Sequence, residues 1–227
     1  MTADTIRVDL HVHSVHSPDS ATSVEALVGH LPYTGLRGFA LTDHNSVRGH
    51  ATLAQLRERH PSYWFLPGVE VSALEGHVLA YGVAEAPPPG RPAAETVEWV
   101  RAHGGEAVLA HPFRWSHGVG RVVAGTVAVS SLEARNGHNS EMANLRAEAL
   151  AARRGLGMTG GSDAHTTPDL GRAFTEFEGS VASLDDLLEA IRRRRVAAGG
   201  RSLTWPGRIR LAMRAGLLRV SRGFRPV

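Results

Sequence analysis

Six short segments of this chain each end a predicted β-strand with His, Asp or Glu side chains, which bind metal ions through nitrogen and oxygen. They are residues 9–13, 42–44, 68–70, 77–79, 110–112 and 162–165. A strand that is followed by a helix projects its last side chains into one shared mouth at the carboxyl end of a barrel. We therefore expect these ligands to converge in one place and to hold several metal ions.

Between these segments the sequence predicts strands that alternate with helices. The predicted strands are residues 6–13, 36–44, 64–71, 77–83, 106–111, 131–136 and, as the final strand, 156–162. The predicted helices are residues 23–31, 47–59, 93–103, 139–154 and 185–195. This alternation indicates a parallel sheet of the α/β class. Ligands at so many strand ends favour a closed barrel over an open sheet with a single switch point.

The amino-acid composition excludes several kinds of active site. The chain has no Cys, which excludes thiolate zinc sites, iron–sulfur clusters, cysteine nucleophiles and disulfides. All 25 Lys+Arg residues are Arg, which excludes lysine nucleophiles and Schiff bases. All 22 acidic residues lie at or before Glu189, so residues 1–189 carry a net charge of −8 and residues 190–227 carry +11. The acidic body, rich in His, suits bound divalent cations.

Two pairs of closely spaced residues and one carboxylate carry the ligand prediction. His11 and His13 lie one residue apart, so on a strand they face the same side, where Asp9 is expected to orient an imidazole. Asp163 and His165 repeat that spacing. Glu70 is a carboxylate within an otherwise apolar strand, where an unpaired charge would cost several kcal/mol. Binding to a bridging metal ion would remove that cost.

The order of these motifs resembles the polymerase and histidinol phosphatase (PHP) family over residues 8 to about 178. The motifs are His11-x-His13, Thr42-Asp-His44-Asn, Gly68-Val-Glu70, His77-Val-Leu, Ala110-His111-Pro and Gly161-Ser-Asp163-Ala-His165. The resemblance implies a distorted (β/α)7 barrel with the metal site at the C-terminal mouth of the strands. It also implies two or three divalent ions, manganese, iron or zinc, and the hydrolysis of phosphate esters through metal-activated water.

The resemblance also implies how the ligands are shared among the ions. The implied sets are His11, His13, Glu70 and Asp163 for one metal, Glu70, His77 and His111 for a second, and Asp19, His44 and His165 for a third. Two members have alternatives. The ligand from residues 14–20 is either His16 or Asp19, with Asp19 preferred although a Pro–Asp turn is ordinary. His77 is otherwise a simple strand-start histidine.

Phosphate and leaving-group contacts are expected near the metals. Arg114 and Arg135-Asn136 are placed to bind phosphate, and His138 is placed to protonate the leaving group, while Asp163 is the acidic residue on which catalysis is expected to depend. The alternative for Arg114 and His138 is that they are surface loop residues.

The leading prediction for function is a metal-dependent phosphoesterase that acts on a small nucleotide-like or sugar-like phosphate, including 3′-phosphorylated or cyclic nucleotides. The alternatives are a 5′-to-3′ exonuclease on short RNA, a histidinol phosphatase, and a metal-binding regulatory module without turnover.

Two regions are predicted, a catalytic barrel over residues 1–198 and a basic amphipathic tail over residues 199–227. The tail is expected to dock on the acidic body, to touch short RNA, or to lie on an anionic membrane surface. The sequence contains no predicted transmembrane span and no secretory leader, which predicts a cytoplasmic location.

Overall fold

The predicted alternation of strands and helices is present in a computed structural model of the chain, which describes residues 5–179, 181–204, 207, 213, 216 and 217. Within these residues the strands are β1 (Ile6–Val12), β2 (Gly38–Leu41), β3 (Trp64–Ser72), β4 (His77–Tyr81), β5 (Glu106–Leu109), β6 (Ser131–Asn136), β7 (Gly157–Gly161), β8 (Ala173–Phe177) and β9 (Val196–Gly200). The helices are α1 (Val24–His30), α2 (His50–Arg59), α3 (Ala93–Ala102), α4 (Gly120–Thr126), α5 (Glu141–Arg154) and α6 (Leu184–Arg192).

The described strands form one sheet in the order β7-β6-β5-β4-β3-β2-β1-β8-β9. The pairs β1–β2, β2–β3, β5–β6 and β6–β7 are parallel, as predicted, whereas β3–β4, β4–β5, β1–β8 and β8–β9 are antiparallel. The sheet curls until Val12, at the end of β1, bridges Ala164, just after β7. The result is a nearly closed barrel, which confirms the predicted α/β barrel class.

The sequence prediction was wrong about the last strand and about the direction of β4. Two strands, β8 and β9, follow the segment that was expected to end the sheet. Strand β4 returns antiparallel to β3 because the connection between Ser72 and His77 is a tight turn, too short for the crossover that a parallel strand needs. Strand β9 also runs through the predicted boundary at residue 198.

Helix α6 closes the amino end of the barrel. Ser183 and Asp186 form a capping box that starts this helix. Its apolar side chains Leu187 and Ile191 pack into the same buried cluster as the barrel residues. The Ile191 carbonyl accepts a hydrogen bond from Ser131, the first residue of β6, over 2.8 Å. The amino end of the barrel is filled with apolar side chains. A polar site is therefore expected at the opposite, carboxyl end.

The predicted tail helix lies largely outside the described residues. No helix in the described ranges is long and apolar enough to cross a membrane.

Candidate metal centre

The predicted ligands meet at the carboxyl end of the barrel. His11 lies on β1, Glu70 lies on β3, and the other ligands lie at or just beyond strand ends. His77 reaches the same mouth from the start of β4, since that strand is antiparallel and its first residue pairs with Ser72 at the end of β3. Close approach of β7 to β1 requires Gly161, because a Cβ there would lie 2.3 Å from the Cβ of His11.

Four of these side chains form the most buried group. Glu70 Oε2 lies 3.1 Å from His11 Nε2 and 3.2 Å from His13 Nε2. Asp163 Oδ1 lies 3.2 Å from His13 Nε2 and 3.6 Å from His11 Nε2. Ligand atoms that are each about 2.1 Å from one ion lie roughly 3.0–3.4 Å apart. The group therefore has the spacing of a single metal site.

The other oxygen of Glu70 faces a second group. Oε1 lies 2.7 Å from His77 Nδ1 and 2.9 Å from His111 Nε2. His44 also approaches Glu70, with Nδ1 at 3.3 Å from Oε2. Glu70 thus stands between two groups of histidines, the position of a bridging carboxylate.

A third group lies around Asp19, whose Oδ2 is 3.1 Å from His165 Nε2 and 3.5 Å from His44 Nε2. Of the two alternatives in this segment, the structure brings Asp19 to the other ligands. His16 instead packs beside Gly49, where a Cβ would lie 3.3 Å from its ring.

Divalent cations would satisfy the ligand atoms of these groups better than hydrogen bonds among the groups do. Among the described residues, four ring nitrogens and one carboxylate oxygen of the groups are buried without a hydrogen-bond partner: His11 Nε2, His13 Nε2, His44 Nδ1, His111 Nδ1 and Asp19 Oδ1. An unpaired buried polar atom is costly. Donors that are nitrogen and carboxylate oxygen suit manganese, iron or zinc.

The charges of the groups are strongly coupled. Burial alone would raise the pKa of Glu70, but His11 and His77 hold it well below its usual range. Burial would lower the pKa of His13, but its contacts with Asp163 and Glu70 raise it to about 10. His111 behaves oppositely, because burial and the charge of Arg114 lower its pKa to about 3. Without metal, the carboxylates are thus balanced by protons on some of the histidines.

The residue that orients His11 is Glu133, which the sequence reasoning missed. Glu133 Oε1 lies 2.9 Å from His11 Nδ1, and Oε2 accepts hydrogen bonds from the His111 amide (2.7 Å) and from Asn136 Nδ2 (3.1 Å). In the sequence, Glu133 is a carboxylate between the apolar residues Leu132 and Ala134. The same pattern led to the prediction of Glu70, so it could have identified Glu133 as well.

Asp9 was expected to orient an imidazole, and that expectation is wrong. Its carboxylate accepts hydrogen bonds from the backbone amides of His11 (3.2 Å), Ser162 (2.8 Å) and Gly171 (2.9 Å). Asp9 therefore ties β1 to the segment that carries Asp163 and to Gly171, which precedes β8.

Arg114 and Asn136 lie beside the ligands. The Arg114 guanidinium donates to Asp163 Oδ2, to Asn136 Oδ1 (2.7 Å) and to Asn139 Oδ1 (3.0 Å). Arg135 is instead paired with Glu148 and Glu141 on α5. An irregular register between Glu133 and Arg135 accompanies this difference. The structure does not bring Arg135 to the ligand groups.

His138 is buried next to the same carboxylate. Its Nδ1 lies 4.0 Å from Asp163 Oδ2, and its Nε2 lies 3.8 Å from Asp169 Oδ2. Burial lowers its pKa, although Asp169 opposes this shift. His138, Asp163 and His165 also offer ligand atoms within 4.8 Å of one another.

Fold and site together define an α/β barrel whose carboxyl end gathers His, Asp and Glu side chains that could hold metal ions. A sequence profile for the PHP domain matches residues 9–86, and a PHP-associated profile matches residues 141–196, together more than half of the chain. The chain belongs to the PHP family, as its motifs predicted. Membership supports the predicted enzyme class, a metal-dependent phosphoesterase.

Known relatives agree with this fold. An uncharacterized protein of Methanocaldococcus jannaschii is 28% identical over 118 residues, which cover 48% of this chain and 68% of that protein. PsfC from Pseudomonas syringae PB-5123 is 23% identical with a TM-score of 0.69, over 97% of this chain and 99% of that one.

Two further structures share the fold at lower coverage of their own chains. A two-domain protein of Bacteroides vulgatus with a predicted PHP-like metal-dependent phosphoesterase is 22% identical (TM-score 0.69), over 88% of this chain and 67% of that chain. The lesion-specific endonuclease Q of Pyrococcus furiosus is 19% identical (TM-score 0.62), over 83% of this chain and 56% of that chain.

Proposed function

We propose that this protein hydrolyses small phosphate esters, nucleotide-like or sugar-like and including 3′-phosphorylated or cyclic nucleotides, at a centre of two or three divalent metal ions. The observation that carries the proposal is the meeting of all the predicted ligands around Glu70 and Asp163 at one end of the barrel. No nucleophilic Ser or Cys is needed for such a reaction, since hydrolysis can use water directly.

The ligand sets in this proposal are His11, His13, Glu70 and Asp163; Glu70, His77 and His111; and Asp19, His44 and His165. Manganese, iron or zinc bound there would supply Lewis acidity for the phosphoryl group and for the attacking water. The protein's own contribution is to hold the ligands in place, with Glu133 fixing the ring of His11.

Arg114 is the proposed phosphate-binding residue, with Asn136 beside it. The Nε atom of Arg114 donates to Asn139, and its Nη2 atom donates to Asp163 and Asn136. Nη1 makes no hydrogen bond to any described residue and is available to a phosphate oxygen. Because the Arg114 side chain is 23% exposed, substrate can reach it from the mouth.

His138 is the proposed donor to the leaving group. Burial lowers the pKa of its imidazole, which favours the neutral ring in the free protein. A bound phosphate dianion would favour the protonated ring, so that the proton is taken up with the substrate and passed to the departing alkoxide. Asp169 Oδ2 lies 3.8 Å from the opposite ring nitrogen, Nε2.

The test is hydrolysis by protein loaded with manganese, iron or zinc, followed as phosphate release from monoesters and as mononucleotide formation from cyclic nucleotides. Substrates are mononucleotides, 3′,5′-bisphosphates, cyclic nucleotides, sugar phosphates and histidinol phosphate. Turnover should fall at least 100-fold in Asp163→Asn and stay unchanged in Asp185→Asn, a matched change at an exposed position on α6. Absence of turnover on every ester, with metal bound, would favour a regulatory module.

Nuclease activity is the second candidate, since endonuclease Q shares the fold and residues 190–227 carry +11. We propose residues 199–227 as a tail that serves nucleic-acid substrates electrostatically. Removing residues 205–227 should then reduce cleavage of short RNA or DNA while hydrolysis of mononucleotides is kept. Equal activity of both forms on oligonucleotides would remove this candidate.

A further inference from the structure

We infer that Trp115 is a stacking surface for a nucleobase on the substrate of the metal centre. This inference rests on the proposed function and narrows its substrate class from phosphate esters in general to nucleotides. It starts from an unusual exposure: the Trp115 side chain is 100% exposed, whereas Trp64 and Trp99 both pack against buried apolar clusters. A fully exposed indole contributes no burial to folding.

Trp115 is fixed next to the residue that is proposed to bind phosphate. It follows Arg114 in the connection between β5 and α4, and Arg114 contacts Asp163 in the centre. This connection is tightly folded: the Arg114 amide donates to the His111 carbonyl (2.9 Å), and the Gly120 amide donates to the Pro112 carbonyl (3.0 Å). The backbone of Trp115 is thus held one residue from Arg114, at the carboxyl end of the barrel.

Two segments next to the Trp115 connection carry further exposed apolar side chains. The turn between β3 and β4 packs on this connection, since the His77 amide donates to the His117 carbonyl over 2.9 Å and a Cβ at Gly76 would lie 2.6 Å from the Val119 nitrogen. That turn carries Leu74, which is 71% exposed, and α4 carries Val122, which is 78% exposed. We call Leu74, Trp115 and Val122 the apolar rim.

The position of the apolar rim determines what it can bind. The ligands are almost completely buried, so only the phosphate of a substrate can enter the centre, and the rest of the molecule must lie across the mouth. Leu74 and Val122 offer no hydrogen-bond partners to sugar hydroxyls, and Trp115 offers only its indole N–H. A purine or pyrimidine has a flat face that stacks on indole, so a nucleobase is the occupant that fits.

The experiment compares adenosine monophosphate with ribose 5-phosphate, which differ by the base alone. In the metal-loaded wild type, adenosine monophosphate should quench tryptophan fluorescence and ribose 5-phosphate should not. Trp115→Phe should lose that quenching while calorimetry still detects binding, because Phe also stacks. Trp115→Ala should bind the nucleotide about 5- to 150-fold more weakly, the range that base–aromatic stacking supplies.

Tyr33→Ala is the matched control, since Tyr33 is an aromatic residue with 82% exposure that precedes β2 at the other end of the barrel. It should bind adenosine monophosphate as the wild type does. Equal affinity of wild type and Trp115→Ala, or equal quenching in wild type and Trp115→Phe, would overturn the inference.

Failure of the proposed function would look different. If no phosphate is released from any ester, hydrolysis is wrong, but the binding and quenching measurements still decide whether Trp115 contacts a base. If ribose 5-phosphate and adenosine monophosphate are hydrolysed with equal kcat/KM and Trp115→Ala lowers neither selectively, hydrolysis stands and the nucleobase site is wrong.

Discussion

Glu133 makes three contacts that hold the centre together without being a predicted ligand itself. It faces His11 Nδ1 with one oxygen and accepts from the His111 amide and Asn136 with the other. Glu133→Gln replaces one acceptor with a donor, so His11 loses its orienting partner. We predict 10- to 100-fold weaker metal affinity, measured by competition with a chelator.

Glu75→Gln is a suitable comparison for that variant, because Glu75 lies in the β3–β4 turn and contacts the Ala93 amide rather than a ligand. Its metal affinity should equal that of the wild type. Unchanged affinity in Glu133→Gln would show that the His11 ring is fixed by the metal alone.

The Asp9 carboxyl is expected to make the folded protein less stable as the pH rises. Burial raises its pKa to about 6, above the value of 3.8 in an unfolded chain. At a pH between these two pKa values, Asp9 is protonated in the folded state and ionised in the unfolded state. The stability that Asp9 contributes is therefore present below about pH 4 and is lost as the pH rises through about 6. The loss is on the order of 3 kcal/mol.

Asp9→Asn cannot ionise, so it should remove this contribution to the pH dependence. Urea unfolding of both metal-free proteins at pH 4.5 and pH 7 measures the difference. We expect the free energy of unfolding of the wild type to fall relative to that of Asp9→Asn between the two values. Parallel changes in both proteins would contradict the raised pKa.

Helix α5 positions the phosphate-binding residues through Asn144. Its Oδ1 accepts from the Asn136 amide (3.1 Å) and from Asn139 Nδ2 (3.0 Å), and its Nδ2 donates to the Asn136 carbonyl (3.0 Å). Both partners contact Arg114. Asn144→Ala should raise KM for phosphate esters about 10-fold with full metal content.

Met142→Ala changes an exposed position on the same helix and should leave both values unchanged. Asn144→Asp keeps the acceptor and loses the donor, so it should restore part of the affinity. Loss of metal in Asn144→Ala would instead assign this residue to the structure of the whole site.

The parts of the fold that could be predicted from sequence are those with a periodic pattern and a ligand at the end. Strands β1 and β3 and helix α5 were found for this reason, and so were the ligands themselves. The four residues between β3 and β4 also indicate the antiparallel direction of β4, but the prediction did not use them and was wrong about it. Strand β8 alternates buried and half-buried residues but carries no motif, and it was missed.

What could not be predicted depends on contacts between distant segments. Glu133 and His11 are 122 residues apart, and only the curled sheet brings them together. Arg135 and Asn136 looked equally suited to phosphate, but neighbouring residues on a strand face opposite sides, and Arg135 is paired with Glu148. The ion pair with α5 thus holds Arg135 away from the ligands, whereas Asn136 lies beside them.

The metal ions are expected to stabilise the entire barrel, because their ligands come from most of its strands. In the metal-free protein, His13 has a pKa of about 10, above its ordinary 6.5. The stability that it contributes is present below pH 6.5 and lost as the pH rises through about 10. Metal ions require neutral histidines, so the loaded protein should not show this loss.

Melting temperatures of chelated and loaded protein between pH 6.5 and 10 test that expectation. The gap between them should widen as the pH rises. A gap that is constant or narrows would mean that the buried histidines are not protonated in the metal-free protein.

The central claim is that a multinuclear metal centre around Glu70 and Asp163 hydrolyses phosphate esters. The most direct test is to reload the chelated protein stepwise with manganese while measuring bound metal per chain and phosphate release from adenosine monophosphate and 3′,5′-bisphosphates. We predict no turnover in the metal-free chain and turnover that appears as the second ion binds. Turnover without metal, or two or three bound ions with no phosphate released, would contradict the claim.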